Sequence, residues 1–299
     1  MTRCLLTLFC ILLLLSLAAN VCVAEQTTRK IGQWQVLTFS DGEGARDPSL
    51  LVGASPELLQ KYLPTGKFLI GMQYFLARGH GKTVLIDTGL GKNLLRQLQD
   101  AGVKPEDIDA VLLTHMHRDH IGGLLTADGA AALPRATVYL AEKEKAYWSD
   151  PRMMAQAGAD KKDSFLAAQK VLAAYGGRVK TFSPGQLETG GVAVLPGIAA
   201  VVAYGHTPGH SMFLLKDGED ELLFWGDLTH AMAIQMPAPA VALVYDLDRQ
   251  EAVAVRLKVL RYVSARKLPV AGAHIPGPSM GLVRAAGDGY VFTPDGQDQ

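Results

Sequence analysis

The 299-residue chain contains very little cysteine, and all of it lies near the N-terminus. The three cysteines are Cys4, Cys10 and Cys22, so the sequence from residue 23 onward has none. That part of the chain cannot form a disulfide, and a metal site within it cannot use thiolate ligands. Histidine, aspartate and glutamate are left as its strong metal ligands.

The sequence also lacks an excess of charge of either sign. Its 29 basic residues balance 29 acidic ones, and no basic block stands out. Nucleic-acid binding relies on clustered Lys and Arg, so an electrostatic attraction to nucleic acid is not indicated. We expect a small-molecule substrate and no nucleic acid as partners, and a homodimer is left open.

Only one apolar run is long enough to suggest targeting, and it lies at the N-terminus. Arg3 precedes an almost wholly apolar stretch from Cys4 to Ala19, and Cys22-Val23-Ala24 supplies small residues that resemble a cleavage site. This order is typical of a secretory signal peptide. We expect residues 1–24 to be removed on export to the periplasm or the medium, which leaves no membrane span. An uncleaved anchor is the alternative.

Three imidazoles and one carboxylate lie within six residues, at His115, His117, Asp119 and His120. The apolar run before them, residues 109–113, predicts a buried strand, and the residues after them predict a turn into a helix. The cluster therefore follows the carboxyl end of a strand, where sites in α/β proteins usually lie. Imidazole and carboxylate suit Zn²⁺, Mn²⁺ or Fe²⁺. A polar loop whose histidines only form hydrogen bonds is the alternative.

Apolar strands and amphipathic helices alternate along the chain. Strands are predicted at 34–39, 68–77, 83–86, 136–140, 179–182, 192–195, 198–203, 212–215, 222–227 and 268–273. Helices are predicted at 56–62, 92–101, 142–148, 160–175 and from 245 onward. The Gly-rich stretch 41–48 predicts a loop, and residues 149–160 predict a mobile segment.

Further candidate ligands follow later strands. A tight loop around Thr207-Pro208-Gly209 displays His206 and His210. Asp227 ends an apolar strand and needs a partner, because an isolated buried carboxylate is costly; a helix N-cap is the alternative. His230, three residues later, either supports a metal ligand, faces the substrate or lies on the surface of a capped helix. His274 follows the last predicted strand.

The sequence His-x-His-x-Asp-His after a hydrophobic strand resembles the signature of the metallo-β-lactamase superfamily, and so does Asp87-Thr88-Gly89 after the strand at 83–86. Three stretches resemble the exported lactonase and methyl-parathion-hydrolase-like branch, namely Leu223–His230, Tyr245–Asp248 and Gly272–Pro278. The resemblance extends from Trp34 to Pro278. It implies an α/β fold, a four-layer αββα sandwich, for residues 25–299.

The same resemblance implies two divalent metal ions, with zinc the first choice and manganese, iron or cobalt as alternatives. The implied ligands of the first ion are His115, His117 and His206; those of the second are Asp119, His120 and His274; and Asp227 would bridge the two ions. Asp87 is implied to orient the histidines, although an Asx-turn stabiliser fits the sequence equally well. We expect His210 to form hydrogen bonds only.

The implied activity is hydrolysis of a lactone, an ester or a phosphotriester by a hydroxide held between the two ions. Asp119 would pass a proton to the leaving group, and His230 is a second candidate catalytic residue. A β-lactamase or thioester hydrolase of the same fold is the enzymatic alternative, and a catalytically silent metal-binding protein is the non-enzymatic one. The following side chains belong either to an apolar pocket or to the core: Phe39, Met116, Trp225, Met232 and Ile275.

Overall fold

The structure is a computed structural model that describes residues 27–296. The predicted signal peptide, residues 1–24, lies outside the described residues. The strands are β1 (Thr28–Ile31), β2 (Trp34–Arg46), β3 (Leu51–Val52), β4 (Phe68–Gly79), β5 (Lys82–Ile86), β6 (Ala110–Leu112), β7 (Thr137–Ala141), β8 (Val179–Phe182), β9 (Val192–Leu195), β10 (Ile198–Val202), β11 (Ser211–Asp217), β12 (Asp220–Phe224), β13 (Ala242–Leu243), β14 (Val270–Ala271), β15 (Met280–Ala286) and β16 (Gly289–Pro294).

The α-helices are α1 (Pro56–Tyr62), α2 (Leu94–Asp100), α3 (Arg118–Ile121), α4 (Glu142–Ser149), α5 (Pro151–Gln156), α6 (Ala159–Tyr175), α7 (Met232–Gln235) and α8 (Arg249–Arg266). Helix α1 begins as its sequence predicts, because the Ser55 side chain accepts a hydrogen bond from the backbone N–H of Leu58. No helix among residues 27–296 has the length and apolar character needed to cross a bilayer.

Two seven-stranded sheets form the centre of the molecule. The first has the order β1-β2-β4-β5-β6-β7-β8, and the second has the order β16-β15-β14-β12-β11-β10-β9. In the first sheet β5, β6, β7 and β8 pair in parallel, and the remaining pairs are antiparallel. A parallel neighbour requires a crossover, and helices supply the crossovers on the outer face of this sheet.

Side-chain alternation divides the core into layers. In β5, Val84 and Ile86 pack against the second sheet, whereas Leu85 packs under the helices. Residues of α2, α4 and α6 cover the outer face of the first sheet. On the other side of the molecule, α8 covers the outer face of the second sheet through residues such as Leu260 and Val263. The layers are therefore helix, sheet, sheet and helix, which confirms the predicted αββα sandwich.

The predicted loop at 41–48 was wrong, because β2 continues to Arg46. Its pairing with β4 shifts register between Ser40 and Glu43, which marks a β-bulge. Gly42 has φ of 105° at this point, a conformation that its missing side chain permits. The glycines therefore bend the strand without ending it. The predicted mobile segment at 149–160 likewise contains the short helix α5.

The C-terminal part of the chain is more regular than its sequence indicated. Strands β15 and β16 form a hairpin that sequence analysis missed. The sequence predicts a frayed tail over 293–299, but β16 extends to Pro294. The apolar spacing of α8 predicts a buried side made of Val253, Leu257 and Leu260, and the observed side differs from it. Ala252, Arg256 and Val259 face inward, whereas Val253 and Leu257 are only half-buried.

Candidate metal centre

The candidate ligands lie at one edge of the sandwich. Four of them follow β6, where His115 and His117 are on extended backbone and Asp119 and His120 are on the single turn of α3. The other three follow separate strands of the second sheet: His206 comes after β10, Asp227 after β12 and His274 after β14. Parallel and antiparallel strands of both sheets thus deliver distant sequence segments to one place.

The first group contains three imidazoles and one carboxylate. His117 Nδ1 lies 2.9 Å from His115 Nε2 and 3.0 Å from His206 Nε2. Asp227 Oδ2 lies 3.1 Å from His206 Nε2 and 3.6 Å from His115 Nε2. These four ligand atoms all fall within 4.8 Å of one another. The three histidines that were predicted to share an ion do converge.

The second group lies on the other side of Asp227. Asp227 Oδ1 is 3.0 Å from His120 Nε2, and Asp227 Oδ2 is 3.2 Å from His274 Nε2. Asp119 Oδ2 is 3.6 Å from His274 Nε2. Asp119, His120 and His274 also offer ligand atoms within 4.8 Å of one another. The Asp227 carboxylate therefore contacts both groups, as the predicted bridging role requires.

The donor set fits divalent cations. Tetrahedral zinc with bonds of about 2.0–2.1 Å brings neighbouring ligand atoms to roughly 3.3 Å of each other, which is close to the distances found here. Two fully buried ligand atoms, His120 Nε2 and Asp227 Oδ1, lie 3.0 Å apart but form no hydrogen bond with each other or with another described residue. Orphaned buried polar atoms of this kind are rare unless an ion or water completes them. The nitrogen and oxygen donors suit zinc, manganese, iron or cobalt.

The ligand histidines are held through their other ring nitrogen. His206 Nδ1 is 2.9 Å from the Asp246 carboxylate, and His274 Nδ1 is 2.8 Å from the Gly71 carbonyl oxygen. His115 Nδ1 is 3.1 Å from Thr114 Oγ1. A hydrogen bond at Nδ1 fixes the ring and leaves the Nε2 lone pair directed at the centre. Asp246 was not singled out from the sequence; its only signal was an acidic residue near a helix start.

Asp87 orients the cluster, which settles one open alternative. Its carboxylate accepts hydrogen bonds from the Thr114 backbone N–H at 2.8 Å and from Thr114 Oγ1 at 2.7 Å. Asp87 Oδ2 is also 2.7 Å from His120 Nδ1. All of these contacts are made with residues of the loop after β6. They show that the Asp87 carboxylate orients this loop, as the first alternative predicted, and does not stabilise an Asx-turn.

His210 and His230 are both buried beside Asp227. His210 Nδ1 donates to the Ala203 carbonyl oxygen at 2.8 Å, and its Nε2 accepts from the Asp227 backbone N–H at 3.0 Å. Both nitrogens are therefore occupied, in agreement with a hydrogen-bonding role only. His230 Nε2 is 2.9 Å from Asp227 Oδ2, and its ring stacks on His274 at 4.5 Å. The alternative of a surface His230 is wrong, and so is a helix N-cap role for Asp227.

Glu144 on α4 connects the two histidine loops, and sequence analysis missed it. One carboxylate oxygen accepts from the Met116 backbone N–H at 2.9 Å and from the indole N–H of Trp148 at 2.6 Å. The other accepts from Thr207 Oγ1 at 2.7 Å and from the Gly209 backbone N–H at 3.0 Å. The side chain is fully buried, and burial raises its pKa while these four hydrogen bonds oppose that rise.

Electrostatics in the centre favour a cation. Burial lowers the pKa of His115 well below its usual value and, with the charge of His206, lowers that of His117 to about 3. Burial would raise the pKa of Asp227, but the surrounding imidazoles, His120 first, outweigh it and hold that pKa well below its usual value. These two neutral imidazoles and the ionised carboxylate are in the state that binds a divalent metal. Burial lowers the pKa of His120, His206 and His274, but the charge of Asp227 outweighs it and raises all three, so these imidazoles lose a proton when a metal binds.

A pocket of about 320 Å³ opens above the ligands, and its walls include His117, Asp119, His206, Asp227, His230 and His274. Apolar and aromatic side chains make up much of the remaining wall: Ile70, Met72, Tyr147, Trp148, Phe165, Tyr245 and Leu247. None of these was predicted. The five side chains considered from the sequence as pocket candidates lie instead in or against the core clusters: Phe39, Met116, Trp225, Met232 and Ile275.

The comparison with known families agrees with this geometry. Residues 67–274 match the model described as the metallo-beta-lactamase superfamily. The chain belongs to the metallo-beta-lactamase superfamily, and with a His/Asp metal-binding cluster beneath its pocket it is a metal-dependent hydrolase of that superfamily.

Two solved structures are similar over nearly their whole length. The hydrolase AbOPH of the beta-lactamase superfamily has 30% sequence identity and a TM-score of 0.81, with 93% of this chain and 99% of that chain covered. AidC, a dizinc quorum-quenching lactonase solved with the product N-hexanoyl-L-homoserine, has a TM-score of 0.81 at 23% identity, with 92% and 98% covered. At this level of identity, the similarity to AidC shows a shared fold.

Curated relatives match over shorter stretches. Ribonuclease TTHA0252 of Thermus thermophilus is 31% identical over 186 residues, which is 59% of this chain and 39% of that protein. Ribonuclease Z of Methanopyrus kandleri is 40% identical over 73 residues, 23% of this chain and 25% of that protein. The chain thus spans well under half the length of these relatives.

Proposed function

We propose that the chain is a dinuclear metal-dependent hydrolase that cleaves a lactone, an ester or a phosphotriester. The observation that carries the proposal is the position of Asp227, whose two oxygens contact both groups of ligands at the floor of one pocket. A carboxylate shared in this way is what two neighbouring cations require. The first group would hold one ion through His115, His117 and His206, and the second through Asp119, His120 and His274.

Two divalent ions bound in this centre would supply a hydroxide nucleophile at neutral pH and would polarise the oxygen under attack. The protein supplies the surroundings. Asp227 balances the cationic charge, and Asp87, Asp246 and the Gly71 carbonyl fix the rings that face it. Rings that are already fixed require no reorganisation during the reaction.

Asp119 is the candidate proton carrier. It lines the pocket, and although burial raises its pKa, the charges of His120 and His274 outweigh that effect and lower it. An ionised Asp119 can accept a proton at neutral pH and deliver it to the leaving oxygen. His230 also lines the pocket, and its Nδ1 has no hydrogen-bond partner among the described residues. That nitrogen is itself buried, so a substrate would reach it only after the ring moves.

Several observations support a small substrate. The pocket volume of about 320 Å³ suits a small molecule, and apolar and aromatic side chains form much of its walls. The similarity to the hydrolase AbOPH supports hydrolysis, and the likeness in fold to the lactonase AidC is the reason for proposing an ester-like bond. We propose that nucleic acid is not the substrate, because the formal net charge is zero and the curated nucleases match only part of their length.

Zinc is the proposed metal, since all seven side chains offer nitrogen or carboxylate oxygen. Export after removal of residues 1–24 is part of the proposal and rests on the N-terminal sequence alone. N-terminal sequencing of protein recovered from the periplasm or the medium tests it. A mature protein that begins at Glu25 is expected, and retention of Met1 would contradict it.

A panel of substrates tests the activity. Protein of known metal content would be assayed on an aryl phosphotriester, an acyl-homoserine lactone, an aryl thioester, a chromogenic cephalosporin and a short RNA, each with and without a chelator. We expect chelator-sensitive turnover of the phosphotriester or the lactone. Turnover of the cephalosporin, the thioester or the RNA alone would replace the proposal with that activity. No turnover by protein that holds two ions would favour a catalytically silent metal-binding protein.

A further inference from the structure

Three basic side chains line the pocket above the metal centre. Arg46 ends β2, Arg118 lies between the ligands His117 and Asp119, and Lys161 is in the first turn of α6. These positions are far apart in the sequence, so their meeting at one pocket comes from the fold. The site needs no basic residue to hold a cation, because a positive charge there opposes metal binding.

Among the side chains that the structure describes, no carboxylate forms an ion pair with Arg46, Arg118 or Lys161. The Arg46 guanidinium donates to the Ala45 carbonyl oxygen, at 3.1 Å. Asp47, the nearest acidic neighbour of Arg46 in sequence, accepts from the Ser49 backbone N–H at 2.9 Å, and Glu43 accepts from the Gly277 backbone N–H.

The acidic groups of the pocket are already committed. Asp119 and Asp227 are the carboxylates among the lining residues, and both face imidazoles of the metal centre. Two divalent cations would more than balance their two negative charges. The half-buried Arg46 and the exposed Arg118 and Lys161 would then remain as uncompensated positive charges around the pocket, where they attract an anion.

The basic groups also have a defined place relative to the apolar wall. Arg118, Lys161 and the hydroxyl-bearing Ser164 belong to α3 and α6, which pack against each other, and Phe165 of α6 lines the same pocket. A substrate that lies along the aromatic wall of the pocket, with its reacting bond at the metal ligands, therefore has basic groups beside its other end. Guanidinium and ammonium groups bind carboxylate and phosphate oxygens.

We propose that the enzyme prefers lactones or esters that carry an anionic group, a carboxylate or a phosphate-like group, away from the bond that is cleaved. Arg118 and Lys161 bind that group from one wall of the pocket and Arg46 reinforces them from another. This inference rests on the proposed hydrolase function, and it narrows the substrate class beyond uncharged lactones and phosphotriesters.

Matched substrates test the inference. 4-Nitrophenyl pentanoate and mono-4-nitrophenyl glutarate share the leaving group and the acyl length, and differ by a terminal carboxylate; 4-nitrophenyl 4-phosphonobutanoate supplies the phosphate-like end. With zinc-loaded protein we expect kcat/KM at least tenfold higher for one or both anionic esters than for the neutral ester. The preference resides in KM, and it decreases as NaCl is raised because salt screens the attraction.

Variants identify the residues responsible. We expect Lys161→Met and Arg118→Met each to reduce the preference at least threefold, and the double variant to reduce it to less than twofold, at unchanged metal content. Lys162→Met is the matched control, since Lys162 is exposed, adjacent on α6 and absent from the pocket wall. That variant should keep the full preference.

The outcomes separate the two proposals. Equal turnover of all three esters, insensitive to salt, would overturn the anionic-substrate inference and leave the hydrolase proposal standing. A preference that survives in the double variant would also overturn it. No turnover of any ester, lactone or phosphotriester by metal-loaded protein would overturn both proposals together.

Discussion

At the scale of single residues, Glu144 connects the two loops that carry the three-histidine group. Its two oxygens each accept two hydrogen bonds, from Met116, Trp148, Thr207 and Gly209. Met116 lies between two ligands, and Thr207 follows a third. The buried carboxylate therefore sets the spacing of the two loops that form the three-histidine group.

Replacing Glu144 with Gln tests this role. A glutamine retains one acceptor oxygen but directs its NH₂ group at two donors, so half of the connection is lost. We expect zinc affinity to fall by about tenfold or more, as for other residues that support metal ligands. Competition with a chromophoric chelator measures it. Glu142→Gln is the control, because Glu142 is exposed in the same helix and accepts from Ser183 at the surface. Equal affinity in both variants would contradict the assigned role.

The histidine pKa values make metal uptake dependent on pH. Burial lowers the pKa of His206, but the charges and hydrogen bonds of Asp227 and Asp246 outweigh it and raise that pKa to about 9. In the metal-free protein His206 therefore holds a proton below about pH 9, and a metal ion must displace it. His117, with a pKa of about 3, is already neutral.

We accordingly expect zinc affinity to rise from pH 6.5 to about pH 9, with proton release on binding throughout that range. Titration calorimetry in buffers of different ionisation enthalpy measures the number of protons released. Asp246→Asn removes one of the charges that raise the His206 pKa, so it should release fewer protons at pH 8. Metal binding without proton release at pH 7 would contradict the assignment.

Sequence reasoning found the residues that lie close together in the chain. His115, His117, Asp119 and His120 are recognisable because a strand and a turn place them in one loop. His206, Asp227 and His274 came from resemblance to a family, since nothing local distinguishes a ligand histidine after a strand. Glu144 was missed because its partners are mostly backbone N–H groups of other segments, and those contacts exist only in the folded chain.

At the scale of elements, α8 shows how a single polar residue changes a helix face. The apolar spacing predicted Val253, Leu257 and Leu260 as the buried side. In the structure Arg256 is buried, and its guanidinium donates to the carbonyl oxygens of Leu228, Pro239 and Val241. These oxygens belong to the segment after Asp227, so the helix supports the metal centre from below.

Arg256→Met tests the contribution of this helix. The change leaves the buried carbonyl oxygens of Leu228 and Pro239 without this donor, whereas that of Val241 keeps Gln235 Nε2, and we expect the free energy of unfolding to fall by about 3 kcal/mol. Urea unfolding followed by tryptophan fluorescence measures it. Arg261→Met, at an exposed position of the same helix, is the control and should change stability by less than about 0.5 kcal/mol. A loss under about 1 kcal/mol for Arg256→Met would contradict the supporting role.

Strand β2 shows that residues typical of turns do not always end a strand. Four residues of glycine and acid between 41 and 44 predicted a loop, yet pairing with β4 resumes at Glu43 after the bulge. A β-bulge and a loop use the same residue types, and only the partner strand distinguishes them. The continuation matters for the site because it brings Arg46 to the pocket.

At the scale of the whole molecule, the layers were predictable and the order of the strands was not. Consecutive apolar residues in single strands, such as Val84, Leu85 and Ile86, indicate a buried strand, and the four-layer arrangement came from the resemblance to the family. The neighbour of each strand depends on long-range pairing, as in the parallel pairing of β12 with β14. Sequence periodicity carries no information about that choice.

Bound metal should stabilise the entire fold. An ion present at a thousand times its dissociation constant contributes about 4 kcal/mol, which corresponds to a shift of about 10 °C in Tm for a chain of this size. We expect a chelator to lower Tm by about that amount, as measured by calorimetry. Asp227→Asn should show a much smaller chelator effect, because it removes the shared ligand. Identical Tm values with and without chelator in the parent protein would contradict a metal centre.

The division of ligands between the sheets has a further consequence. The loop after β6 contributes four side chains from one sheet, and three separate loops contribute the others from its companion. A partly folded chain in which the two sheets have not yet packed together can offer an ion only some of the ligands. High affinity for the ion therefore begins when the sheets pack. The rate at which the refolding chain takes up the ion would then equal the rate at which the two sheets pack together.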